Sequence, residues 1–407
     1  MKILLTLAWR NLWRNKRRSI ITISSVLFAV LCAVLFYAME KGTYERMIDT
    51  MVRYSYGYVQ IQDVLFEDEP SMDNALLFDE NVESVLNDLS DRIELYVPRI
   101  QNFALVATDQ HTRGVMIMGI DPERETRLNN LTDEIVKGEF LSQNDEDIVI
   151  AEGLANILNV SVGDTLTLLG QGFQGATAAG RFHIKGVVNL RLPEMSRNTI
   201  YLSLPTAQWF YMAEDRLTAL IIMPNNPMHS AQIAEEINRK LDPEWYRALT
   251  WEELLADFLL LMKFDIAGTF VMLMILYIVI SFGLYGTILT MMIERQREFG
   301  MLISLGMKRG KLAAICFIES VLIAVSGVII GIAVTLPIVW YFNVNPITFS
   351  GDIAETFMDM GFEPIMPLSM DPWVFISQAL IVLTISFLIG LYPIRKAYTL
   401  NIMKVKR

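Results

Sequence analysis

"IERQREFGMLISLGMKRGKL" (Ile293–Leu312) joins two long apolar runs, and its reading decides how the chain is organised. Within it a short apolar patch, Met301–Leu305, stands between Gly300 and Gly306 in a strongly charged connector. A loop that only kept the chain in solution would have no use for such a patch, because exposed apolar surface is unfavourable unless something covers it. Glycines on both sides let the patch fold as a small helix set across longer ones, a plug for a socket on another protein. The alternative is a tight re-entry turn whose apolar residues lie in lipid.

Moving outward, the 407-residue chain is 53% hydrophobic, and four segments carry no charge: Ser19–Ala38, Ile266–Ile293, Ser320–Asn343 and Trp373–Ile394. Each reaches the roughly 20 residues needed to cross a hydrocarbon core about 30 Å thick. The first run is too long for a cleaved signal and no A-x-A pattern follows it, so it is expected to stay as an anchor. Cys32 follows Leu31 rather than a small residue, so no lipid-attachment box is present.

Charge between the spans sets the orientation, because Lys and Arg in short loops resist translocation. Residues 1–18 carry six Lys/Arg and no acid, 294–311 carry five against two acids, and 395–407 carry five and none. These segments, both termini among them, are expected in the cytoplasm. Segment 39–265 carries 37 acids against 18 bases and 344–372 carries five acids and no base, which puts both outside. The net charge of -11 is therefore a sum of opposites. Because the basic residues are split among three membrane-flanking clusters, no nucleic-acid partner is implied.

Residues 1–18 read as an interfacial elbow helix, with Leu5, Ala8, Trp9 and Leu12 on one side and Arg10, Arg14, Arg17 and Arg18 on the other. The alternative is a simple extension of the first span. Beyond that span Tyr44, Met47, Ile48, Met51 and Ser55 continue the helical period, and Leu254, Leu255, Phe258, Leu261, Met262 and Asp265 do so before the second. Two such stripes at the ends of one insertion predict a paired helical stalk. Between them the pattern changes to short strands and turns, as in "GYVQIQD" (57–63), "RGVMIMGIDP" (113–122) and "RFHIKGVV" (181–188), which predicts a mixed α+β domain. The Gly-rich stretch 170–180 is expected as a mobile hairpin loop.

No nucleotide-hydrolysing apparatus is legible. Gly306-Met-Lys-Arg-Gly310-Lys311 has three residues between its glycines where a phosphate-cradling loop needs four, and Leu312 takes the Ser/Thr position. There is no G-x-S-x-G and no H-E-x-x-H, so no catalytic site is predicted, and His111, His183 and His229 lack metal-ligand spacing. Cofactor-binding and metal sites are expected to be none. A chain without an engine that offers a plug points to a separate soluble ATPase as the socket.

Glu319 is flanked by apolar helix on both sides. A mid-membrane acid costs about 2.5 to 3.5 kcal/mol, and each Val, Ile, Leu or Phe that follows offsets about 0.3 to 0.6. With thirteen of these in Ser320–Asn343, insertion still wins. The acid either pairs with another helix during motion or reaches water or Lys311 near the inner interface. Gly327 and Gly331 form a G-x-x-x-G that would admit a close helix neighbour.

At this point the residues resemble a family. "LAWRNLWRNKRRSIIT" (7–22), "ERQREFGMLISLGMKRGKLAAICFIESVLIAVSGVIIGI" (294–332) and "YPIRKAYTLNIMKVKR" (392–407) resemble the FtsX-like permeases of macrolide-exporter (MacB-type) and lipoprotein-releasing ABC transporters. "GIDP", "IAEGLANILNVSVGD", "IYLSLPTAQ" (200–208) and "TWEEL" (250–254) look closer to the lipoprotein-releasing (LolC/LolE-like) permeases.

The resemblance implies an α-helical membrane protein with four transmembrane helices, a type VII ABC permease, plus an α+β extracytoplasmic domain inserted between helices 1 and 2. The expected segments are the elbow 1–18, spans 19–38, 266–293, 312–343 and 373–394, the domain 39–265, the coupling segment 294–311, the outer loop 344–372 and the tail 395–407. The resemblance carries Glu294, Arg297, Glu298, Gly300, Met301, Leu305 and Gly306 over as the ATPase-docking segment, and Glu319 as the glutamate early in the third span. It implies mechanotransmission in a bacterial inner membrane, with ATP and magnesium held by a partner ATPase dimer. A second permease copy or paralogue, the lipid bilayer and a periplasmic carrier or adaptor complete the expected partners.

Lipoprotein extraction from the outer leaflet is the leading expectation, with Met47, Met51, Phe258, Leu261 and Met262 as an acyl-chain surface or as ordinary stalk packing. The alternatives are efflux of peptides or antibiotics through an adaptor and a non-transporting regulator of cell-wall hydrolases.

Overall fold

The computed structural model describes residues 2–14, 16–108, 111–190, 192–359 and 363–399. Most of the tail 395–407 lies outside these residues. Six helices frame the membrane part: α1 (Lys2–Arg14), α2 (Lys16–Met51), α3 (Ala256–Glu294), α4 (Gln296–Ser304), α5 (Arg309–Val344) and α6 (Pro372–Thr399). Among the described residues four helices are long and apolar enough to cross a membrane, and they coincide with α2, α3, α5 and α6. The chain divides into two compact units. One holds Met1–Arg46, Leu261–Thr348 and Ile365–Arg407, and the other holds Met47–Leu260 and Phe349–Pro364. Segment 344–372 therefore contributes to both.

In the membrane unit Val26, Val30 and Val34 of α2 are buried with Val328 and Val339 of α5 and Val374 and Val382 of α6. Lipid supplies no hydrophobic drive between helices, so close approach and dispersion must hold them together. The glycine pair provides that approach. A Cβ on Gly327 would lie 2.5 Å from the Val26 Cβ, and one on Gly331 would lie 2.9 Å from the Val30 Cβ. The α3 helix is the least covered, with Phe270, Ile275, Val279 and Phe282 exposed. It meets α6 where the Tyr277 hydroxyl donates to Gln378 and where the Tyr285 ring stands edge-on to Tyr392, 5.0 Å between centroids.

It meets α2 where Tyr44 donates to Asp265 and Thr269 pairs with Glu40, an antiparallel match one turn apart on each helix. The backbone leading into α6 closes on the same stretch of α2. Ser369 N donates to the Ala38 carbonyl at 2.8 Å, Lys41 pairs with Asp371, and any Cβ at Gly42 would fall 2.3 Å from the Pro367 oxygen.

The second unit is built on a ten-stranded mixed sheet of β1 (Val59–Asp63), β2 (Ile93–Ala107), β3 (Thr112–Ile120), β4 (Ile135–Gly138), β5 (Ile148–Ala151), β6 (Thr165–Gln171), β7 (Thr177–Val188), β8 (Thr199–Ser203), β9 (Ala219–Pro224) and β10 (Tyr246–Thr250). The order is β10-β1-β9-β2-β3-β8-β5-β7-β4, with β6 pairing β2 and β7 off this path. Among the described residues only β3 with β8 and β5 with β7 run parallel, in registers such as Met118↔Tyr201 and Ile150↔Val187. One apolar core gathers Ile100, Val106, Ile117, Leu154 and Phe182, and another gathers Val59, Ile61, Leu86, Ile222 and Ile233.

Local chemistry sets several element starts. The Asp121 carboxylate of "GIDP" accepts from Glu123 N and Arg124 N at 3.1 Å each, capping the helix Pro122–Asn129. Thr250 and Glu253 form a capping box that opens Trp251–Leu254.

The stretch 170–180 differs from the expected mobile loop. Strands β6 and β7 stay paired out to Gln171↔Thr177, leaving only a short turn. Its glycines partly serve packing: a Cβ at Gly180 would lie 2.7 Å from the Phe182 ring.

Candidate functional site

The charged connector folds around α4. Arg295 takes the position before its first turn, its carbonyl accepting from Phe299 N at 3.0 Å, and its side chain turns toward α5. The Arg295 Nη1 donates to both Glu319 oxygens, at 2.9 and 2.8 Å, and Nε donates to Glu298 Oε2 at 3.3 Å. The same Glu298 oxygen accepts from Arg14 Nη2 of α1 at 2.6 Å. Four charges of alternating sign, Arg14, Glu298, Arg295 and Glu319, thus tie α1, α4 and α5 into one line. Arg295 and Glu319 are buried. The partner of Glu319 is Arg295, which corrects the alternative of water or Lys311. A carboxylate taken out of water needs both a counter-charge and hydrogen bonds for its lone pairs, and this guanidinium supplies both.

The end of α4 is fixed by its backbone. Gly306 N donates to the Ile303 carbonyl and Met307 N to the Leu302 carbonyl, both at 3.0 Å, the Schellman arrangement. It needs a residue of positive φ, and Gly306 has φ +95°. Here the apolar patch divides. Phe299 is buried with Met292, Leu312, Ala313 and Cys316, and Leu302 and Ile303 pack against that cluster. Met301 and Leu305, one turn apart, stay 61% and 78% exposed.

The sequence-predicted docking residues therefore fall into three groups. Arg297, Met301, Leu305 and Gly306 are exposed, as is Glu294 at the end of α3; Gly300 is buried; Glu298 is half-buried in the charge line. The result is an anchored ridge with two apolar side chains on its crest, a shape fit for seating in a groove and transmitting displacement. The predicted acyl-chain residues are less gathered. Met47, Met51 and Phe258 belong to the second unit and are half-buried, whereas Leu261 (exposed) and Met262 (half-buried) belong to the membrane unit. On α1, Leu12 is buried while Trp9 and Trp13 are exposed, 6.0 Å apart edge-on. The side chains of Leu5, Ala8 and Arg18 lie outside the described residues.

Two family models match this architecture. The FtsX-like permease C-terminal model matches residues 270–402, and the MacB-like periplasmic core domain matches residues 19–240, which is more than half of the chain. The chain belongs to the FtsX-like permeases with a MacB-like periplasmic core. The permease is 22% identical over 400 residues to the lipoprotein-releasing system transmembrane protein LolC of Neisseria meningitidis serogroup B, covering 93% of this chain and 91% of that protein.

Two solved domains also align. The periplasmic region of MacB from Actinobacillus actinomycetemcomitans is 13% identical, covers 52% of this chain and 97% of that one, and gives a TM-score of 0.36. The extracellular domain of the ABC-type transporter YknZ from Gram-positive bacteria is 12% identical, covers 47% and 99%, and gives 0.35. The assignment rests on the family models, not on these overlaps. The permease is accordingly an ABC-transporter membrane subunit of the bacterial inner membrane with an extracytoplasmic domain.

Two cations of the permease escaped the sequence reading. Arg295 was within reach of it, because a buried acid early in α5 demands a cation from a neighbouring element, and the connector offers several among which only geometry chooses. Arg99 gave no signal. It is fully buried in β2, donating Nε to Glu125 Oε2 at 2.9 Å and Nη1 to the Tyr54 and Ser55 carbonyls at 3.0 Å each. Those carbonyls belong to the π-helical turn Val52–Tyr56 that follows α2, so Arg99 satisfies backbone acceptors that the helix end leaves open.

Proposed function

We propose that this permease extracts lipoproteins, or similarly lipidated cargo, from the outer leaflet of the inner membrane by mechanotransmission, driven by a separate ATPase dimer seated on α4. The observation that carries the cargo class is the nearly end-to-end similarity to a lipoprotein-releasing transmembrane protein, spanning membrane and extracytoplasmic parts alike. Supporting the mechanism, α2 is one helix of 36 residues, about 54 Å at 1.5 Å per residue, far more than a hydrocarbon core of about 30 Å requires. Closure of the ATPase would move α4, and the charge line would pass that movement to α1 and α5. In this reading both termini and α4 are cytoplasmic, as the charge asymmetry requires. Two permeases, identical or paralogous, would complete the transporter, with a soluble carrier or adaptor outside.

Reconstitution of the complex in liposomes loaded with a lipoprotein tests the cargo. ATP-dependent release to a soluble carrier is the expected result, and export of a peptide or antibiotic without lipoprotein release would replace this reading with efflux. Leu305→Asp tests the docking. An exposed side chain changes folding little, whereas loss of an apolar anchor from a groove costs about 2 kcal/mol of association. The variant should insert normally yet co-purify with much less ATPase, and undiminished ATPase binding would remove Leu305 from the interface.

A further inference from the structure

The membrane unit contains a cavity of about 880 Å³ bounded by α1, α2 and α3. Arg14, Lys16 and Arg17 line one end, and no Asp or Glu is among its lining residues. Along α2 the wall passes from Lys16 and Arg17 to Ile21 and Thr22, and along α3 from Thr290 and Thr287 through Gly286 and Gly283 to Phe282. Both walls become less polar in the same direction, with the charges confined to one end. The hydroxyls of Thr287 and Thr290 donate back to the Gly283 and Gly286 carbonyls at 2.9 Å, which leaves the cations as the strong donors of the site. A Cβ at Gly283 or Gly286 would meet nothing within 4 Å, so the glycines leave an open channel along α3.

A cationic end that grades into an apolar trough at a helix–membrane boundary matches a molecule with an anionic head and a hydrocarbon chain. We propose that the cavity binds an anionic phospholipid. Its phosphate is held by Arg14, Lys16 and Arg17, and an acyl chain lies against Ile21, Phe282 and the open faces of Gly283 and Gly286. Arg14 is also the first member of the charge line to Glu298 on α4. A phosphate at Arg14 competes with that carboxylate, so the lipid acts on the segment that docks the ATPase.

The test is binding of soluble dihexanoyl phosphatidylglycerol to the full-length permease in a zwitterionic detergent, against dihexanoyl phosphatidylcholine and inorganic phosphate. The phosphatidylglycerol is expected to bind, the uncharged-net phosphatidylcholine to bind at least about tenfold more weakly, and inorganic phosphate not to displace the lipid at matched concentration. Lys16→Ala and Arg17→Ala should each weaken binding about fivefold, the effect of one cation near an anionic headgroup. Gly286→Leu keeps every charge and fills the channel, so it should abolish binding of the lipid.

Equal binding of both lipids, or displacement by inorganic phosphate on equal terms, would overturn the lipid site. Unchanged lipid binding in Gly286→Leu would overturn it as well. If that variant instead lost association between permease subunits, the cavity would belong to a helix of a second copy.

Discussion

Arg295 and Glu319 are 24 residues apart in the chain, and their charged atoms lie 2.8 Å apart in the fold. At such a buried pair the single and double substitutions have opposite consequences. Removing one partner leaves an uncompensated charge in a low-dielectric site and costs about 3 to 5 kcal/mol, whereas replacing both with apolar side chains of similar volume is close to neutral. Arg295→Met or Glu319→Leu alone is therefore expected to lower the unfolding midpoint of the purified permease sharply, and the double variant to recover most of the loss. Equal destabilisation by single and double variants would show that the pair matters by shape alone. Glu298, shared by Arg14 and Arg295, has a different standing: 45% exposed at its side chain, it contributes more to orientation than to stability. Its presence among the docking residues was legible from the resemblance, but its attachment to α1 was not, because nothing in a local pattern pairs residue 14 with residue 298.

At the scale of elements, the loop before β5 is tied to neighbouring elements through Asp145. Asp145 accepts from Lys185 Nζ of β7 at 2.5 Å and from Ser142 N at 2.7 Å, while Ser203 and Thr206 donate to its carbonyl at 2.9 and 2.8 Å. Partial burial by itself would raise the Asp145 carboxyl, but the hydrogen bonds and charge of Lys185 together with the Ser142 N–H outweigh it and hold the carboxyl below its ordinary value. A carboxyl lowered in the folded state binds fewer protons than in the unfolded one. Its stabilisation is complete above the ordinary carboxylate range and disappears as pH falls through the lowered value. Denaturant unfolding of the full chain, followed from about pH 6 to pH 3, should show domain stability falling with acid, and Lys185→Met should flatten the part of that slope due to Asp145. An identical slope in the variant would remove the pair from the acid response. The element types here were readable from alternation, as Leu166 and Leu168 point inward while Thr165 does not. The extent of the β6–β7 hairpin was not, because a stretch rich in glycine and alanine reads as a loop although here Gly180 makes room for Phe182 and Phe210.

At the scale of the whole molecule, mechanotransmission needs the movement of α4 to reach the long helices, and the expected consequence is a displacement of α2 against α3. Tyr44 and Asp265 mark where the two helices meet, and a Tyr–Asp contact holds the backbones about 10 Å apart, too far for a disulfide, so Tyr44→Cys and Asp265→Cys joined by a reducible bis-maleimide of about that length would lock them together. Cargo release should stop on cross-linking and return on reduction of the linker while ATPase binding is unaffected, and release that continued in the locked form would exclude relative motion at this level.

The four spans, the site of the large insertion, the charge asymmetry and the family were all properties of contiguous segments. The spans follow from transfer free energy summed along one stretch of chain, the asymmetry from charges counted between them and the family from local motifs, and a linear sequence carries all three completely. Which face of α4 turns outward is another matter, since Phe299, Met301, Leu302 and Ile303, with Leu305 just past the end, place apolar groups nearly all around a nine-residue helix. Only the packing of Phe299 under the connector leaves Met301 and Leu305 on the crest. The same holds for Arg99 and Glu125, buried together inside the second unit. A charged pair of this kind is tolerable only once distant strands and helices have excluded water around both partners, so the folded structure alone decides that they meet.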